Sequence, residues 1–214
     1  MNYNIFERPG ERQARGNVVI QDLTPFPLRP SRGRDTVQAA MNEEQARIRG
    51  YLVAQGAKLT PAAIVEKVQA AMVDLRAAAA AVPPVRFGER PEPEEWSGNE
   101  VMAHVVAADG YFGGGVQLVL AGQPPPPPPG GRGVEGAPLL SAEAWYRRLA
   151  EQRGALFAAV QAADPAAAPD QRIEHPMFGP LTWRETLLFT RLHDLDHAGQ
   201  LQKIAAALAT ARPA

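Results

Sequence analysis

Four stretches of this chain open on a hydroxyl residue placed to cap a helix, and no stretch of similar length reads as strand. Thr60 stands before Pro61, so its side-chain oxygen is set to accept a first-turn N–H. Proline at the first helical position loses nothing by lacking its own N–H. Ile64, Val68, Ala71, Met72 and Leu75 follow at helical spacing, and Pro83-Pro84 ends the segment. Ser97 and Glu100 have the spacing of a capping box. Behind them Val101, His104, Val105, Ala108 and Phe112 share a stripe that runs toward Leu120. Ser141 caps a third segment with Trp145, Leu149, Leu156 and Val160 facing inward, ending near Asp164-Pro165. Thr182 and Glu185 form a second capping box and start a last helix that persists to about Thr210. Four amphipathic helices without a sheet predict an all-α chain, a four-helix bundle whose sites lie between facing helices.

The breaks between these segments are also informative. Gly113-Gly114-Gly115 weaken the second core helix, which either bends there or has neighbours packed against it. Six prolines, Pro124–Pro129, make a stiff spacer of roughly 19 Å at about 3.1 Å per residue. This long proline-rich connection between core helices 2 and 3 is expected to join helices that are not adjacent. Ile173 to Leu181 reads as a short extended segment or turn. Residues 1–57 form an N-terminal extension. Its first part is an arm rich in Arg, Pro and Gly, in which only Val18-Val19-Ile20 resembles strand. An extra helix is expected over Asp35–Gln55, capped by Asp35, stopped by Gly56, with a weak stripe of Val37, Ala40, Met41, Ile48 and Leu52. Residues 58–214 are the bundle domain.

Composition excludes several function classes. A net charge of −1 argues against general nucleic-acid binding, which needs clustered positive charge. There is no cysteine, so disulfides, thiolate metal sites and cysteine nucleophiles are absent. No apolar run approaches the roughly 18–20 residues of a membrane span. The first residues lack the layout of a secretory signal. A cytoplasmic protein, without nucleic-acid or membrane partners, is the expectation.

Against that background the four histidines stand out. His193 and His197 are four apart on the last helix, so their Cβ atoms lie roughly 6 Å apart on one face. Phe189, Gln200 and Ile204 share that stripe. His104 sits on the inward stripe of the second core helix. Burying three imidazoles without partners is costly, and either a shared metal or ordinary hydrogen bonds would relieve that cost. Imidazole suits zinc, nickel or iron(II), and three histidines without a carboxylate leave positions for water or substrate. A zinc-peptidase reading fails because the glutamate of that motif is replaced by the shorter Asp194. Asp194 and Asp196 are expected to face solvent or to orient a histidine from behind the ligands. His175 either lines the mouth of the site or serves the turn, and Tyr111 either faces the cavity or packs in the core.

Two stretches carry a resemblance: W-S-G-N-E-V-M-A-H-V (Trp96 to Val105) and H-P-M-F-G-P-L-T-W-R-E-T-L-L-F-T-R-L-H-D-L-D-H-A-G-Q-L-Q-K-I (His175 to Ile204). In that order they resemble the DinB-like superfamily, the DNA-damage-inducible-type four-helix proteins, over about residues 60 to 210. The resemblance implies a metal held by His104, His193 and His197. It also implies homodimers and, in relatives that use mycothiol, bacillithiol or glutathione, transfer of a low-molecular-weight thiol or isomerisation. The partners it implies here are a small-molecule thiol and an electrophile. The alternatives are a non-catalytic metal- or ligand-binding stress-response bundle and a metal-free structural dimer. Residues 1 to about 57 and the six-proline spacer depart from the family's pattern.

Overall fold

The computed structural model describes residues 34–128, 134 and 136–210, with side chains from Asn42 to Ala209. The N-terminal arm, including Val18-Val19-Ile20, lies outside the described residues, as do the side chains of Val37, Ala40 and Met41. The described residues form five helices and one small hairpin: α1 (Arg34–Lys58), α2 (Pro61–Ala81), α3 (Gly98–Leu120), α4 (Ala142–Ala162), β1 (Ile173–His175), β2 (Gly179–Leu181) and α5 (Trp183–Thr210). A 3-10 turn at Pro84–Arg86 follows α2.

The hydroxyl caps do what their positions predict. Thr60 accepts from the Ala63 N–H, and Ser141 from the Ala144 N–H. Ser97 and Glu100 close a full capping box, as do Thr182 and Glu185. Each such cap satisfies first-turn donors that would otherwise lack partners, at typically about 1 kcal/mol.

Helices α2, α5, α3 and α4 follow one another around the bundle in that order, so α2 and α3 are diagonal despite being consecutive. α2 and α5 run parallel. Arg184 at the start of α5 donates to the Gly56 and Leu59 carbonyls just ahead of α2, and Arg86 just past α2 donates to Leu208 near the end of α5. α3 and α4 also run parallel. Asn99 Oδ1, in the first turn of α3, accepts from the Leu140 N–H at 3.0 Å and the Trp145 indole N–H at 2.8 Å. The two pairs oppose each other: Arg76, late in α2, meets Glu143, early in α4.

The expectation that the proline-rich connection joins non-adjacent helices is therefore wrong. α3 and α4 are neighbours, but being parallel they force the chain to return along the length of α3, about 35 Å for its span. In the described part of the connection, Pro126 packs against α3 at Gly115. The glycine triplet does not break α3, which runs unbroken to Leu120. A Cβ on Gly113 would stand 3.0 Å from a Leu156 methyl and 3.2 Å from an Asp109 carboxylate oxygen, so the glycine lets α4 approach.

α1 packs on α5, and its Ile48 and Leu52 join the bundle's core. It differs from the expected helix at its end. Gly56 does not stop it; the helix continues to Lys58, and a Cβ on Gly56 would stand 3.2 Å from the Glu185 side chain. That glycine marks a close approach to α5. The hairpin pairs Ile173 with Leu181 and His175 with Gly179, antiparallel, and Gly179 takes a left-handed φ of 67°. Among the described residues no helix is long and apolar enough to cross a membrane.

Candidate metal centre

His104 lies in the second turn of α3, and His193 and His197 lie one turn apart on α5. The antiparallel approach of these helices brings the three rings together. His193 Nε2 is 3.1 Å from His104 Nε2 and 3.1 Å from His197 Nε2. One ligand atom from each residue lies within 4.8 Å of the other two. A tetrahedral ion with metal–nitrogen bonds near 2.05 Å places its ligands about 3.3 Å apart, so the spacing fits one shared ion.

Hydrogen bonding alone serves the cluster poorly. A neutral imidazole nitrogen either donates or accepts, and its single lone pair lies in the ring plane. His193 Nε2 has two nitrogen neighbours and can satisfy only one of them well. A cation at the centre accepts all three lone pairs. Two of the rings, His193 and His197, are held toward the neutral form that a metal needs. Burial, then His197, His104, Arg153 and His175, hold His193 well below the usual histidine range. Burial and His104 push His197 down to about 4, against the opposing effect of Gln200.

Around the triad, the Nδ1–H of His197 donates to Gln200 Oε1 at 2.9 Å, which directs Nε2 and its lone pair toward the cluster. Trp96, just ahead of the α3 cap, lies with its ring 5.1 Å from that of His104. His104 and His197 are buried and His193 is half-buried. Asp196 is half-buried on α5.

His175 and Tyr111 each make bonds that serve the fold. His175 is 3% exposed. Its Nδ1 accepts from the Met177 and Phe178 N–H groups, fixing the hairpin turn, while Phe112 and Phe178 stack near it and Phe189 meets it at a steep angle. Burial pushes its pKa down to about 3. The Tyr111 hydroxyl donates to the Glu174 carbonyl at 2.9 Å, tying α3 to β1.

Asp194 requires a correction. It neither faces solvent nor bonds a histidine. One residue past His193, it points about 100° around α5, toward α4. There it is fully buried and receives both terminal nitrogens of Arg153, one at 3.0 Å. Arg153 Nε donates to Asp109 of α3 at 2.8 Å. Burial works against the Arg153 charge, but Asp194 and Asp109 outweigh it and raise its pKa. For Asp194 burial outweighs the pull of Arg153 and raises its pKa. Sequence reasoning missed Arg153 and Asp109, although a signal existed. Arg153 continues the Trp145–Leu149 stripe, and Asp109 lies between Val105 and Phe112 on the apolar stripe of α3.

A helix bundle with a buried three-histidine cluster between antiparallel helices is the class that fold and site define. The sequence signature of the DinB superfamily matches residues 67–201, and the chain belongs to that superfamily. No curated protein and no solved structure matches the chain.

Proposed function

We propose that the protein is a metal-dependent enzyme that transfers a small cellular thiol onto an electrophile. The observation that carries the metal part is the convergence of three imidazole nitrogens on one point, with no fourth protein ligand in that cluster among the described residues. Zinc, nickel or iron(II) suits such a donor set. The ion would supply Lewis acidity, keeping a bound thiol deprotonated near neutral pH. The three histidines would hold it, with Gln200 orienting His197. The thiol loses its proton to solvent, and its sulfur forms a bond to the electrophilic carbon. The electron pair of the broken bond leaves with the departing group, or takes up a proton after addition to a double bond. The thiol itself is supported by the family resemblance. A cytoplasmic homodimer is part of the same reading.

Metal-loaded protein assayed with mycothiol, bacillithiol and glutathione against model electrophiles tests this. Acceleration that disappears in His193→Ala is the expected result; no acceleration with any thiol overturns the catalytic reading. A second reading, a metal- or ligand-binding bundle without turnover, draws on the burial of His104 and His197 and the cover of Trp96. It predicts stoichiometric metal and no conjugation.

A further inference from the structure

We infer that Arg153 is a positioning residue of the metal centre, fixing α3 and α5 in the register that brings His104 to His193 and His197. The inference rests on the reading of the three histidines as metal ligands. Its basis is where the three charged side chains attach. Asp109 is five residues beyond His104 on α3, and Asp194 is next to His193 on α5. Arg153 of α4 bonds both, through Nε to Asp109 and through its two terminal nitrogens to Asp194. The two helices that carry the ligands are thus joined by one planar, rigid group close to the ligands themselves. All three side chains are at most 2% exposed, so water does not compete for these bonds.

Apolar contacts alone do not set such a register. Leu149 and Leu156, the α4 neighbours of Arg153 in the core, make contacts without directional preference, whereas a guanidinium fork fixes direction as well as distance. Metal–nitrogen bonds are likewise directional and restricted to within about 0.2 Å. A buried ionic network is weak as a source of stability, since apolar residues of the same volume replace such networks at little cost. Directional registry is what it adds. Gly113 completes the arrangement by letting Leu156 and the Asp109 carboxylate approach α3 closely.

Cobalt(II) is the probe, because its absorption bands report coordination geometry as well as occupancy. Full-length wild type, Arg153→Lys, the charge-free Asp109→Asn/Arg153→Met/Asp194→Asn triple variant and Leu149→Ala are compared well below their unfolding temperatures. Lysine keeps the charge but cannot span both carboxylates, and the triple variant leaves no buried ion unpaired. The expected result is at least a tenfold loss of cobalt affinity with shifted bands in Arg153→Lys and in the triple variant. Leu149→Ala, a core cavity one turn away, should keep wild-type affinity and bands. Should Arg153→Lys fail to fold, the triple variant decides. Wild-type affinity and spectrum in the triple variant or in folded Arg153→Lys overturns the inference, as does an equal loss in Leu149→Ala. Absence of cobalt binding by wild type overturns the metal reading itself, and this inference with it.

Discussion

Two polar clusters lie side by side on α3 and α5, and they differ in how their groups are matched. The Arg153 cluster balances donors against acceptors: one guanidinium bonds two carboxylates, and its arginine and both aspartates come from three helices. The histidine cluster brings three imidazole nitrogens around one point, with His193 Nε2 3.1 Å from each of the other two. Buried groups of the first kind close a structure, whereas those of the second kind could hold an ion. The contrast separates scaffold from site within one packed interior.

The comparison predicts unequal responses to mutation. Arg153→Met leaves two carboxylates buried without their partner and should destabilise the protein by about 3–5 kcal/mol. His193→Ala in metal-free protein relieves crowding among three imidazoles and should cost clearly less. Urea denaturation of both variants measures the difference; equal losses would erase the distinction between the clusters.

Acid should act on the histidines first. His197 is held near 4 and His175 near 3, whereas an unfolded chain titrates near 6.5. Between those values the unfolded chain binds protons that the folded protein does not. Stability therefore rises with pH across this window and is lost as pH falls from about 6.5 toward 4. His197 alone accounts for about 3 kcal/mol of that loss. Denaturation series at pH 7.5 and 5 read it out, and His197→Phe should flatten the slope.

Metal should reverse part of the imbalance. At a free concentration a hundred times its dissociation constant, a bound ion stabilises by about 2.7 kcal/mol. Thermal unfolding with and without zinc or nickel should show this rise in wild type and none in His193→Ala. Gln200→Leu should keep the site but weaken metal binding about tenfold or more, because His197 loses the acceptor that orients it.

The smallest effects separate two neighbouring glycines. Gly114→Ala meets nothing within 4 Å and should stabilise α3 by up to about 1 kcal/mol. Gly113→Ala drives a methyl against Leu156 and Asp109 and should destabilise by about 1–3 kcal/mol. A reversed order in chemical denaturation would contradict the close packing of α3 on α4.

Much of this was legible locally. Caps at Thr60, Ser97, Ser141 and Thr182 are spelled out within four residues, and the pairing of His193 with His197 follows from helix geometry alone. His104 shares an inward stripe, which leaves a shared metal and ordinary hydrogen bonds both open; the resemblance joins it to the other two as ligands. What depends on neighbours was not legible. Gly56 reads as a stop because nothing local reveals the approach of α5. The six prolines do not disclose that α3 and α4 are parallel. Asp194, adjacent to His193 in sequence, faces a different helix, and its partner Arg153 is 41 residues away.

The central claim is that His104, His193 and His197 hold one metal ion. Elemental analysis of full-length protein, purified without an affinity tag, tests it directly alongside His193→Ala. The account predicts about one transition-metal ion per wild-type chain and none in the variant. A metal-free wild type, or a variant that keeps its metal, would contradict it.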